Sequence, residues 1–125
     1  QDYARWQSRD PDFVIPGGES TRGFYTRITE SVAQLLHDYA GKHLALVAHG
    51  GVLDCCYRLA TRLALTEPRA YPLLNASVNR LAYDGQRWQV LCWGDVAHLD
   101  AAVRDESNDR PEGAAAMDRV DPRVV

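Results

Sequence analysis

An α/β layered sheet is the fold class this sequence predicts, on three observations: an amphipathic stretch from Ser20, a short apolar run ending in His49-Gly50-Gly51, and two alternating segments around Asp84-Gly85. The order helix, strand, helix, hairpin is what joins them into one layered unit. No internal repeat is apparent.

Residues 1–18 carry Pro11, Pro16 and the Gly17-Gly18 pair, which predicts a lead-in loop with one short helix ahead of it. From Ser20 onward, Phe24, Ile28, Val32, Leu35, Leu36 and Tyr39 recur at spacings of three and four, so they share one helical face. Ser20 or Thr21 caps the start, and Gly41 supplies a left-handed stop. The run His43-Leu44-Ala45-Leu46-Val47-Ala48 is nearly all apolar, the pattern of a fully buried parallel strand in mid-sheet. Val52 to Leu65 predicts a second helix with Leu53, Cys56, Leu59, Ala60 and Leu63 on its core face, ended by Glu67-Pro68. Ser77 to Tyr83 and Arg87 to Trp93 then form a hairpin that turns at Asp84-Gly85 or their near neighbours, with Trp88 and Trp93 on a half-buried sheet surface. Beyond Asp100 the chain lacks apolar periodicity and is rich in charge, alanine and proline, so residues 100–125 are expected to be a mobile tail.

A chain of 125 residues accommodates one domain with one hydrophobic core. The net charge of −3, with lysine and arginine spread among acidic residues, leaves no electrostatic footprint for nucleic acid. Small anionic substrates stay open, because one local pocket can be positive on an acidic protein. No apolar run approaches the ~20 residues of a membrane-spanning helix, so a soluble chain without a membrane partner is expected. The chain opens on Gln1 with no basic-then-apolar leader, which suggests a truncated product. Cys55, Cys56 and Cys92 have no metal-ligand spacing and read as buried thiols in a reducing, cytoplasmic compartment.

The candidate chemistry centres on His49-Gly50-Gly51, where a buried strand stops and a helix begins. In open α/β sheets ligands bind beyond the carboxyl ends of strands, and the following helix offers unpaired N–H groups and a positive end to a phosphate. Gly50 and Gly51 let the backbone approach closely. A histidine there can donate to a phosphoryl oxygen and, once protonated, offset developing negative charge. The plainer alternative is a histidine that bonds a carbonyl at the strand end. A second motif, Pro16-Gly17-Gly18-Glu19-Ser20, reads locally as a tight turn followed by a helix cap.

In this order, separated by one amphipathic helix and one strand, these pieces resemble the histidine phosphatase (phosphoglycerate mutase-like) superfamily. Four segments carry the resemblance: PGGES at 16–20, LALVAHGG at 44–51, Asn75-Ala76-Ser77, and Gly94-Asp95-Val96-Ala97-His98-Leu99. It covers about residues 10–99 and implies a three-layer sandwich with a mostly parallel central sheet, incomplete here on its N-terminal side. It implies that residues 1–99 are the C-terminal part of such a domain. By position, His49 matches the family's second active-site histidine, which stabilises the transferring phosphoryl group, and Gly50 matches a neighbour whose amide helps hold phosphate. Gly51 stands where mutases tend to carry asparagine, which favours a broad phosphomonoesterase.

The family's nucleophile is a histidine in an Arg-His-Gly motif, and no such tripeptide occurs in the sequence. The leaving-group acid normally precedes PGGES, so Glu19 is not assigned that role. The resemblance therefore implies a small phosphorylated metabolite as substrate of a complete parent protein acting through phosphohistidine, with no metal or cofactor required. The chain alone is expected to be inactive, and a homo-oligomer is allowed. The alternative is a non-catalytic anion-binding or interaction module. His37 and His43 are expected at the surface, His98 in a packing or hydrogen-bonding role, and the uncovered sheet edge is expected to drive self-association.

Overall fold

The computed structural model describes Tyr3 and residues 10–99. The short helix expected within residues 1–18 falls largely outside them, and the expected tail at 100–125 lies wholly outside.

Pro16 and Gly17 (φ 77°) turn the chain, and the Gly18 amide donates to the Ile15 carbonyl at 2.8 Å. That turn hands over to helix α1, Thr21–Asp38. Ser20 caps it as expected, its hydroxyl accepting from the Gly23 amide at 3.0 Å. The lead-in loop is tied back onto the first turn by Arg22, which grips the Asp12 carboxylate with two donors and donates its amide to the Pro11 carbonyl. Phe24, Ile28, Leu35 and Leu36 are half-buried and Val32 is buried, so the predicted face exists. Tyr39 is the exception: it is the C-cap rather than a member of the face, and it is exposed. Gly41 takes its left-handed φ of 72° just beyond the end of the helix.

Helix α2 spans Gly50–Thr61 and ends earlier than expected. Arg62 adopts φ 58°, and the Leu63 amide returns to the Arg58 carbonyl, so the stop precedes Glu67-Pro68 by five residues. The buried face also differs from the predicted stripe. Cys55 and Arg58 are buried, whereas Leu53, Cys56, Leu59, Ala60 and Leu63 are only half-covered. The cause is packing: α1 and the hairpin both lie against α2, with Phe24 of α1 against Gly51 and Trp93 of β2 against Tyr57.

Strands β1 (Val78–Tyr83) and β2 (Trp88–Asp95) form an antiparallel hairpin, with Tyr83 opposite Trp88 and Val78 opposite Asp95. Two register shifts on either side of Arg80 add twist. The tip is Gly85-Gln86, one residue later than Asp84-Gly85. Asp84 closes it by accepting from the Gln86 and Arg87 amides at 2.8 and 2.7 Å, which holds its carboxyl below the usual range.

Residues 43–48 overturn one expectation. They form no strand, and the predicted buried segment is exposed: Leu46 is 56% and Val47 103% accessible. The only sheet among the described residues is the two-stranded hairpin, so the mostly parallel central sheet is not formed there. The reason lies in sheet physics, since a strand exists only through a neighbour that pairs its backbone, and no described segment offers one. Helices and strands are thus both present, but among the described residues the buried apolar core is thin, consisting of Val32, Cys55 and Leu73. No helix among the described residues is long and apolar enough to cross a membrane.

Candidate functional site

The chain runs without regular structure from Lys42 to His49, which N-caps α2 in an extended conformation (φ −100°, ψ 167°). The His49 carbonyl accepts from the Val52 and Leu53 amides at 3.0 and 3.1 Å, so the helix begins immediately behind the imidazole. Gly50 is buried. Gly51 lies against α1, where a Cβ would stand in ordinary contact, 3.5 Å from the Phe24 ring edge. The Gly51 amide has no backbone acceptor among the described residues. One helical turn therefore gathers an imidazole, two glycines and the positive end of a helix, the components that suit an anion.

The imidazole is exposed and makes no capping hydrogen bond. It lines neither a cleft of about 660 Å³ nor a second of about 350 Å³. On α2 the larger cleft is lined from Arg58 onward, in the C-terminal part of the helix. An anion pocket around His49 was expected, and residues 10–99 do not close one. The uncovered segment 43–48 leads directly into His49, and nothing described forms a wall on that side.

Glu19 is held by Arg27 at 2.6 and 3.3 Å, and those hydrogen bonds keep its carboxyl below the usual range. A carboxyl kept ionised is a poor proton donor, which agrees with leaving it out of the acid role. His37 contacts Asp38 at 3.1 Å on the surface, and His43 is exposed, as expected. His98 departs from expectation: it is exposed and its side chain has no partner among the described residues.

One polar cluster was not anticipated. Asp54 accepts from the Arg58 Nε at 2.8 Å with one oxygen and from the Tyr71 hydroxyl at 2.6 Å with the other. Arg58 also donates to the Ala64 and Glu67 carbonyls. Tyr71 stacks on Tyr57 with centroids 3.6 Å apart, and Trp93 meets Tyr57 edge-on at 4.7 Å while its indole N–H bonds the Pro72 carbonyl. The result clamps residues 64–72 between α2 and β2. Burial and the Asp54 bond push the Tyr71 hydroxyl upward, and burial pushes the Cys55 thiol up to about 12. Neither is a nucleophile at neutral pH. The Asp54–Arg58 spacing of four was readable on a helix, but Tyr71, seventeen residues on, carried no local signal. No group of three or more His, Cys, Asp or Glu among the described residues is placed to hold a metal ion.

The family model of the histidine phosphatase superfamily (branch 1) matches residues 1–96. The chain is 37% identical over 101 residues to phosphoglycerate mutase-like protein 4 of Arabidopsis thaliana, covering 78% of this chain and 42% of that protein. It is 35% identical over 100 residues to a metal-independent phosphoserine phosphatase of the same plant, covering 79% and 40% respectively. It is also 35% identical over 100 residues to a probable phosphoglycerate mutase GpmB of Salmonella newport, covering 76% and 46%. The chain thus spans less than half the length of these curated relatives. No solved structure matches it significantly.

Proposed function

Because the chain belongs to the histidine phosphatase superfamily (branch 1), we propose that it supplies the phosphoryl-stabilising part of a phosphohistidine site, with His49 as charge-offsetting donor and Gly50 as an amide donor to phosphate. Residues 1–99 are, on this reading, the C-terminal part of the domain. The nucleophilic histidine comes from sequence other than the 125 residues given, in which no Arg-His-Gly occurs. The substrate class is a small phosphorylated metabolite. The observation that carries the reading is the junction at His49: extended backbone, a carbonyl that starts the helix, and two glycines at the positive helix end.

In phosphoryl transfer the protein acts mainly by placing donors around the equatorial oxygens and offsetting their charge. The His49 ring and the amides of the first turn of α2 do that work from one side. The attacking imidazole has to approach in line from the other. Among the described residues His49 has no hydrogen-bond partner arranged to deprotonate it or hold it in line, so it is assigned stabilisation and not attack.

The exposure of the His49 ring favours one competing reading, a binding module without catalysis. Hydrolysis of p-nitrophenyl phosphate separates the possibilities. The 125-residue chain is expected at background, whereas turnover that disappears in His49→Ala would overturn the division of labour proposed here. In the complete parent protein, a phosphoenzyme that forms and decays more slowly in His49→Ala is the expected result, and no phosphoenzyme at all supports the binding-module reading.

A further inference from the structure

The cleft of about 660 Å³ between the start of α1, the end of α2 and the hairpin tip is independent of the His49 junction. Its volume falls in the range of small-molecule sites. No acidic side chain lines it, although the chain carries 17 Asp and Glu against 14 Lys and Arg. Three arginines do line it. Arg22 is neutralised by Asp12, and Arg58 by Asp54. Arg62 is exposed, and its side chain has no partner among the described residues. It also occupies a left-handed position, φ 58°, that favours glycine.

The same cleft is lined by Tyr25, Tyr83 and Trp88. Tyr83 and Trp88 sit 4.9 Å apart with planes tilted by 36°, and the Tyr83 hydroxyl is fixed on the Gly85 carbonyl, so these rings form a set surface. Arg58 donates to the Ala64 and Glu67 carbonyls, which follow the end of the helix, so this guanidinium is already engaged and Arg62 is the arginine left to meet a ligand. One unspent guanidinium beside an aromatic surface selects a ligand that is flat at one end and anionic at the other.

We propose that this cleft binds a planar aromatic anion of the nucleoside monophosphate class, with its phosphate on Arg62 and its ring against Tyr83 and Trp88. The inference does not rest on the assignment of His49.

Isothermal titration of the 125-residue chain with AMP tests it, with adenosine and inorganic phosphate as separate titrants. AMP is expected to bind about tenfold or more tighter than either half alone. Arg62→Ala is expected to weaken AMP about tenfold with the melting temperature unchanged, because Arg62 is exposed, and its intact residues 49–51 locate the loss in the cleft. Trp88→Leu should weaken both AMP and adenosine; if it unfolds the hairpin, Arg62→Ala carries the test alone. Absence of AMP binding at millimolar concentration, or AMP binding undiminished in Arg62→Ala, would each overturn the proposal; phosphate binding that Arg62→Ala leaves unchanged belongs to the His49 junction.

Discussion

Two regions flanking the same helix behave in opposite ways. Behind α2, residues 64–72 and β2 close into a clamp in which Asp54, Arg58, Tyr71 and Trp93 satisfy one another and three backbone carbonyls. Ahead of it, residues 43–48 are as apolar as any stretch of the chain and lie open, with Val47 fully accessible. The difference does not come from composition. No hydrogen bond of the clamp reaches further than the 21 residues between Trp93 and Pro72, whereas a mid-sheet strand needs backbone partners from other segments. Local contacts can be complete while a sheet is not, and the candidate site stands on the border between the two.

The largest expected effect breaks the closed region. Arg58→Ala removes the centre of the clamp and leaves the Asp54 carboxylate and two carbonyls without their donor, and should cost about 3 kcal/mol in a denaturant titration. A loss below about 0.5 kcal/mol would mean that the clamp is ornamental.

Alkaline pH should act on the same region. The Cys55 thiol and the Tyr71 hydroxyl both titrate higher folded than unfolded, so the folded state keeps protons that the unfolded chain releases. Their stabilisation is complete below the ordinary thiol value of 9.0 and declines as pH rises toward about 12. The melting temperature should therefore fall above pH 9, and a flat profile would contradict the burial of these groups.

Ser20→Ala probes α1, which belongs to neither region, and should cost about 1 kcal/mol through the lost cap. The smallest effect on stability belongs to the open segment. Leu46→Lys should change it by less than about 0.5 kcal/mol, although the same change in a buried strand would be severe. Light scattering should show self-association of the parent chain through this edge and less of it in Leu46→Lys. A monodisperse parent chain would mean that the segment is covered after all.

The sequence carried local information well. Helix α1, its Ser20 cap and the hairpin follow from period and turn chemistry acting within a few residues. For the end of α2 the sequence points too late, because Glu67-Pro68 is an obvious stop while a left-handed arginine at 62 is not. Its buried face was misplaced for a related reason. Leu53, Cys56 and Leu59 form a sound apolar stripe, but burial depends on where α1 and the hairpin dock. The run at 43–48 has strand chemistry, and pairing is a property of two segments that one run cannot reveal. At the candidate site, the position of His49 at a helix start was legible, whereas the walls of a pocket were not, because walls are built from distant segments.

The claim on which the account turns is that His49 and the first turn of α2 hold a tetrahedral anion. Titrating the 125-residue chain with inorganic phosphate and following ring and amide signals by NMR tests it most directly. The prediction is that the His49 ring and the Gly50 and Gly51 amides shift together at millimolar phosphate, while His37, His43 and His98 stay in place. Equal shifts at all four histidines, or none at His49, would contradict it.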